Sequence, residues 1–441
     1  MLKSFPSHAV LYEGGRRLTP RELIERDDGS EWRAYSLKSG YQVLTLRADG
    51  YRPKWLHLRG HGTVEIGEKL ERVDPLLRRR GELGTGARPK GVAFAPDGRT
   101  LVVTNLSGTG IDLYRVEPFE HIGHIELPAG GGSAEGFVEG YFLPGRRELW
   151  VSQMSTDQLH LLSSVDYRYI TSVPSGGRWP KVMVADREER RLYVSNWAGR
   201  SIGVIALEKR KLLGSISVPG VPRGMAVTPD GETLYVGLYE GGDLIAVDLT
   251  AVDFSADGVI SSGVSSGGAS SSGVSSSGAS SSVVSSSGAT AEGETPLRRI
   301  EIGSGALRHL ELSRDGRRLY ISDMYTGEII LFDTETERVV RRRRVGSNPN
   351  TIGLTPDGSL LLVSERGRNH PQDYRFEGPA FGRVFLCDAI TLEPVGWIWG
   401  RNQPTGLDIS PDGRFLGFTD FMDDNLELYE LTPSSFRAAT N

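Results

Sequence analysis

One phrase of apolar and polar positions recurs along the chain. A proline and a polar residue lead into an apolar strand, an Asp-Gly pair follows, and a second apolar strand then ends, in most copies, on a polar residue. Five copies are clear: Pro89 to Asn105, Pro222 to Leu238, Leu307 to Asp323, Pro349 to Glu365 and Pro404 to Asp420. Two looser ones, Phe137 to Gln153 and Pro180 to Asn196, fill the gap between the first two. Asp-Gly between alternating strands supplies the positive-φ positions of a hairpin turn. A third strand follows, as in Gly327 to Asp333, and a fourth, as in Arg338 to Gly346. Four antiparallel strands in about 42 residues form a sheet that cannot bury both faces alone, so the copies must stack around an axis. The pattern predicts an all-β, seven-bladed β-propeller of four-stranded antiparallel blades.

The last copy runs into a third strand at Asn425 to Leu431 and has no fourth strand after it. The segment Leu76 to Gly84 has the outer-strand pattern and precedes the first copy. It is therefore expected to complete the last blade, three strands from the C-terminal part and one from the N-terminal part. With these copies, and with Tyr193-Val194-Ser195-Asn196 nearly spelling the family's name, residues 84 to 432 resemble the YVTN-repeat β-propeller family. That resemblance implies binding or scaffolding roles and brings no catalytic motif with it.

Residues 1–73 follow another logic and are expected to form a separate small β-domain before the propeller at 74–441. His8 to Arg17 reads as a hairpin, and Ser39 to Pro53 and Gly62 to Ile66 add strands, around a charged insertion at Arg21 to Glu31. The order, with its Gly-Tyr-x-Pro turn, resembles the PEGA family of small β-sandwiches, which implies an extracytoplasmic spacer. A Ser/Gly/Ala tract at 255–294 interrupts the propeller pattern between Asp248 and Leu297, third and fourth strands of one blade. Having almost no large apolar side chains, it is expected to be a flexible loop on the face opposite the polar strand ends.

Composition narrows the function. The 441 residues carry a formal net charge of −5, which gives no general attraction to nucleic acid or anionic membrane. The basic runs Arg78 to Arg80 and Arg341 to Arg344 fall on outer strands, where charge discourages edge-to-edge pairing. Cys387 is the single cysteine and sits in an apolar strand, so an intrachain disulfide and cysteine-rich metal cages are out and a core role is expected. There is no apolar run of membrane-spanning length and no signal-peptide core, which reads as cytoplasmic by default. The PEGA resemblance points instead to the periplasm or cell envelope. A monomer is expected.

In this fold the second residue of each innermost strand and the last residue of each second strand lie on one face. The first set is Lys90, Val138, Lys181, Arg223, Arg308, Asn350 and Thr405, and the second Asn105, Gln153, Asn196, Leu238, Asp323, Glu365 and Asp420. Trp179, Trp197, Tyr239, Tyr325 and Phe421 adjoin them. From the last residue of the second strand to the end of the third is 10 residues in six copies but 23 in the sixth, Glu365 to Asp388. The surplus, with Arg366, Arg368, His370 and Tyr374, should overhang the same face, as function-bearing loops do. This predicts a funnel that binds a protein, a peptide or a small polar, anionic ligand, with no cofactor, no metal and no catalytic residue. The same residues could equally cap strands and pair across the ring. A lactonase-like, metal-dependent hydrolase is the alternative, needing Glu139, Asp323, Glu365 or Asp420 as ligands. No dinucleotide motif, haem motif or nucleophile elbow is present.

Overall fold

The computed structural model describes residues 2–432 except 6–8, 14–15, 28–29, 38–41, 49–53, 60–62, 70–76, 130–132, 255–295 and 304. The Asp-Gly turns form as their chemistry requires. Gly98, Gly231, Gly316, Gly358 and Gly413 all have φ between 69° and 75°. The aspartate before each accepts a backbone N–H two residues on, for example Asp97 Oδ1 from Arg99 N at 2.9 Å and Asp230 Oδ1 from Glu232 N at 3.0 Å. The two looser copies lack this glycine, and Arg147 and Glu189 take positive φ in their turns instead.

Each phrase yields a four-stranded antiparallel sheet, in chain order from the inside out. The first sheet is Pro89–Phe94, Thr100–Asn105, Gly110–Arg115 and Glu120–Glu126. The innermost strands of the next six are Phe137–Leu143, Pro180–Ala185, Pro222–Val227, Leu307–Leu312, Pro349–Leu354 and Pro404–Ile409. Each innermost strand neighbours the next, and the last neighbours the first. The contacts between successive sheets are filled by buried apolar side chains, such as Tyr193, Val204 and Ile216 against Met225, Val236 and Ile245. The architecture is all-β and propeller-like.

Leu77–Gly84 is the outer strand of the seventh sheet. It pairs antiparallel with Asn425–Leu431 from Leu77↔Leu431 to Gly84↔Asn425, as its pattern predicted. Leu77 is buried with Leu416, Phe418 and Tyr429. In the fourth sheet Asp243–Asp248 pairs with Leu297–Glu301, so their connection leaves from the Asp-Gly turn side. The Ser/Gly/Ala tract itself lies outside the described residues.

The N-terminal part contains two four-stranded sheets. Leu2–Phe5 pairs antiparallel with Glu31–Ala34 and parallel with Ile66–Lys69. Val10–Glu13 and Gln42–Arg47 belong to the other sheet. Leu2, Ala9, Leu11, Leu44, Leu46 and Leu56 form the core between them. Two expectations change. The charged stretch at Arg21 to Glu31 is no mere insertion, because Glu22–Glu25 pairs with Glu31–Ala34. The strand expected at Gly62 to Ile66 instead begins at Ile66 and runs to Lys69.

Candidate functional site

A hydroxyl near the end of most second strands prepares the site. Thr104, Ser152, Ser195, Ser322 and Ser364 each stand one residue before the strand's end and donate to a carbonyl of the next sheet's innermost strand. The acceptors are the carbonyls of Val138, Lys181, Arg223, Asn350 and Thr405, at 2.7 to 3.1 Å. The fourth sheet has Gly237 there. Its inner Gly224 lies so close to its neighbour that a Cβ would stand 2.8 Å from His309 Cα. Every innermost strand also slips register just after its first residue. A bulge re-aims the side chain it carries, and here the re-aimed position holds Lys90, Lys181, Arg223 and Arg308.

Those four gather, and Arg366 from the long sixth-sheet loop joins them. Arg223, Arg308 and Arg366 are 3%, 4% and 5% exposed. Lys90 and Lys181 keep a water-accessible edge although protein surrounds them. Burial holds Lys90 well below the usual lysine range, and Arg366, Arg308, Lys181 and Arg223 push it further down. Lys181 is lowered to about 7 by burial and by Arg223 and Arg308, with Glu139 opposing. Arg366 is lowered to about 10, chiefly by burial. Arginine does not give up its proton at neutral pH, so such a shift measures what it costs to hold the charge there.

Among the described residues one carboxylate faces the cluster: Glu139 Oε1 lies 3.6 Å from Arg223 Nη2. Arg223 Nη1, Arg308 Nη1, Arg366 Nε and the Asn350 amide are buried without a hydrogen-bond partner. Five cations against one carboxylate, with donors unmet, is an arrangement that a bound anion would complete.

Further along the same strands the chemistry turns neutral and then acidic. His309, lowered to about 3 by burial and by Arg308 and Arg223, accepts Ile352 N at 3.3 Å. Glu311 is raised to about 8 by burial and by Asp408, and Asp408 to about 6 by burial.

The other expected site residues take different places. Asn196, Asp323, Glu365 and Asp420 are buried at the strand ends and hold loop backbone. Asn196 Nδ2 donates to Ser175 O at 3.0 Å. Asp323 Oδ1 accepts from Ala306, Tyr325 and Thr326 N at 2.9, 3.0 and 3.2 Å. Glu365 accepts Ser347 N at 2.8 Å and Arg383 Nε at 3.1 Å. Asp420 Oδ1 accepts Arg401 N at 2.8 Å. Tyr325 is 79% exposed and Arg368 is exposed, while half-buried His370 meets Phe376 edge-on at 5.4 Å. Tyr374 stacks on Phe421, and Trp197 packs on Tyr239.

The long loop is fastened down. Gln403 accepts from Arg366 Nη2 and donates to the carbonyls of Tyr374 and Phe376 at 2.6 and 3.2 Å. Asn402 pairs with the Gly378 backbone at 2.9 and 3.0 Å. On the outer part of the first sheet, Thr109 Oγ1, His124 and Asp112 form a hydrogen-bond chain of 3.2 and 2.8 Å. That Asp112 also accepts Gly86 N and Asn105 Nδ2, so it anchors the loop before the first strand of this sheet. Cys387 is fully buried and its thiol is pushed up to about 12, a core residue as expected.

A propeller-like all-β fold with a buried basic cluster on its innermost strands defines the class. The chain belongs to the family of antigen Lp49 of Leptospira interrogans, with 30% identity over 439 residues covering 96% of this chain and 86% of the relative. Among solved structures it is similar to Kuenenia stuttgartiensis hydrazine synthase, with a TM-score of 0.58 and 16% identity over 79% of this chain and 97% of that one. At that identity the likeness concerns the fold alone. No family model matches the sequence.

Proposed function

We propose that this chain is a seven-bladed propeller of the YVTN-repeat kind, preceded by a PEGA-like β-sandwich at 1–73, and that it binds an anionic ligand at the axis without catalysis. The observation that carries this is the set of buried, unmet donors, Arg223 Nη1, Arg308 Nη1 and Arg366 Nε, among five mutually repelling cations. Leaving one charge of a buried pair uncompensated costs roughly 3–5 kcal/mol. A fold that keeps several such charges gains that energy back when an anion arrives. The kinship with a protein named as an antigen supports a surface or secreted location. The hydrolase alternative is less well supported. Among the described residues no three His, Cys, Asp or Glu are placed to hold a metal, and Glu139 faces Arg223.

Sulfate, whose charge is constant across neutral pH, is the first probe. It should raise the melting temperature saturably at constant ionic strength, as a ligand of the native state does. Lys181→Met with Arg308→Met should abolish that rise and, by relieving repulsion, stabilise the free protein. Arg342→Met with Arg343→Met, on the outer strand Arg338–Arg344, should leave it unchanged. Sulfate affinity should also strengthen as pH falls through about 7, where Lys181 takes up its proton. Equal responses from the two double variants would sink the proposal.

A further inference from the structure

Two aromatic pairs stand at the basic cluster, each tied to its cations. Trp197 and Tyr239, just beyond the second strands of the third and fourth sheets, have ring centroids 4.4 Å apart, and Lys181 Nζ is 6.0 Å from the Trp197 ring. Tyr374 and Phe421, from the sixth and seventh sheets, stack at 6.1 Å and 28°. Lys90 Nζ lies 4.7 Å from the Phe421 ring, and Arg366 Cζ 5.4 Å from that of Tyr374. In the cyclic order of innermost strands, the third and fourth sheets lie across the axis from the sixth and seventh. Phe421 is fully buried beneath Tyr374, which is 41% exposed, and Trp197 and Tyr239 are half-buried.

A bare inorganic anion would satisfy the arginine donors and leave the accessible faces of Trp197 and Tyr374 to water. An occupant that used both would carry its charge at one end and a flat apolar body at the other. We propose that the site takes an organic anion bearing an aromatic ring, of the aryl phosphate or aryl sulfate class. Its charged end lies among Arg223, Arg308 and Arg366, and its ring between Trp197 and Tyr374. This rests on the anion-binding reading above and adds the nature of the body attached to the charge. Rigid aromatic walls suit such a body because they lose little freedom on binding. Neighbouring cations add attraction to any π-face brought between them.

Titration calorimetry with phenyl phosphate, methyl phosphate and inorganic phosphate at one pH tests this on the unaltered protein. Phenyl phosphate should bind at least about tenfold tighter than methyl phosphate, a gap of about 1.4 kcal/mol. Trp197→Leu with Tyr374→Leu should close the gap while methyl phosphate still binds, and Trp197→Phe with Tyr374→Phe should keep most of it. If phenyl and methyl phosphate bind equally, the ring pocket is wrong and the anion site stands. If none of the three binds, both readings fall. The ligand comparison needs no substitution, so it decides the matter even where a leucine variant fails to fold.

Discussion

Asp420 and Lys181 each carry an ionisable group into a place that resists its charge, from opposite directions. Asp420 is raised well above the ordinary carboxylate range by burial and by the nearby carboxylates of Glu427 and Asp423. A group raised in the folded state contributes stability at low pH and loses it as pH climbs through its folded pKa. Asp420→Asn keeps an acceptor for Arg401 N and removes the conflict. It should therefore raise stability at pH 8 by roughly 1–2 kcal/mol, with the gain shrinking as pH falls. Denaturant melts at several pH values would show it, and a variant weaker than wild type at pH 8 would refute it. Lys181 is lowered, so the unfolded chain holds more protons than the folded one between about 7 and the usual lysine range. Its burden on stability is greatest below about 7 and lifts as pH rises. The second-strand hydroxyls belong to this scale too. Their recurrence one place before the strand end was visible in the sequence, yet their reach into the next sheet was not, because it needs the stacked geometry.

Among the elements, the sixth-sheet loop shows what a sequence does and does not disclose. Its surplus length, and with it the overhang of Arg366 and Tyr374, could be read by counting between strands. Its inward and outward sides could not, since alternation says nothing outside a strand. Arg366 is buried among the cluster's cations, whereas Arg368 is exposed and His370 half-buried against Phe376, and Gln403, in the turn before the next sheet, ties Arg366 to the loop backbone. The polar strand ends were legible as positions, while the loop backbone they hold was not. Asp323 and Glu365 each accept at least one backbone N–H and so hold loops. Gln403→Leu should free the loop at a cost of roughly 1–3 kcal/mol. Proteolysis between 366 and 382 should speed up while hydrogen exchange in the strands stays slow. Unchanged proteolysis would mean the loop is held by other contacts.

On the scale of the whole molecule, the repeat pattern disclosed most of the architecture because every copy restates the same turn chemistry. The pairing of Glu139 with Arg223 and the packing of Tyr239 on Trp197 were not legible, since these contacts form only through the bulges and the ring. The closing strand carries the largest single consequence. Burying Leu77 is worth roughly 1.5–3 kcal/mol, and partly buried Leu83 adds less, before the pairing of a whole strand is counted. Removal of residues 1–73 should leave the melting of the remainder almost unchanged. Removal of 1–84 should lower it by roughly 10 °C or more, or prevent folding. Similar melting of the two truncations would show that the ring does not depend on this strand.

The closing pair also sets a timetable for synthesis. Arg79 and Glu427, joined at 3.2 Å across it, are 348 residues apart in the chain. At roughly 5–20 residues per second, the first partner leaves the ribosome about 17–70 s before the second. Through that wait the nascent strand offers an open edge to any other extended chain nearby. Its three successive arginines, Arg78 to Arg80, keep that edge unattractive to strangers until Glu427 and Glu430 arrive to pair with them.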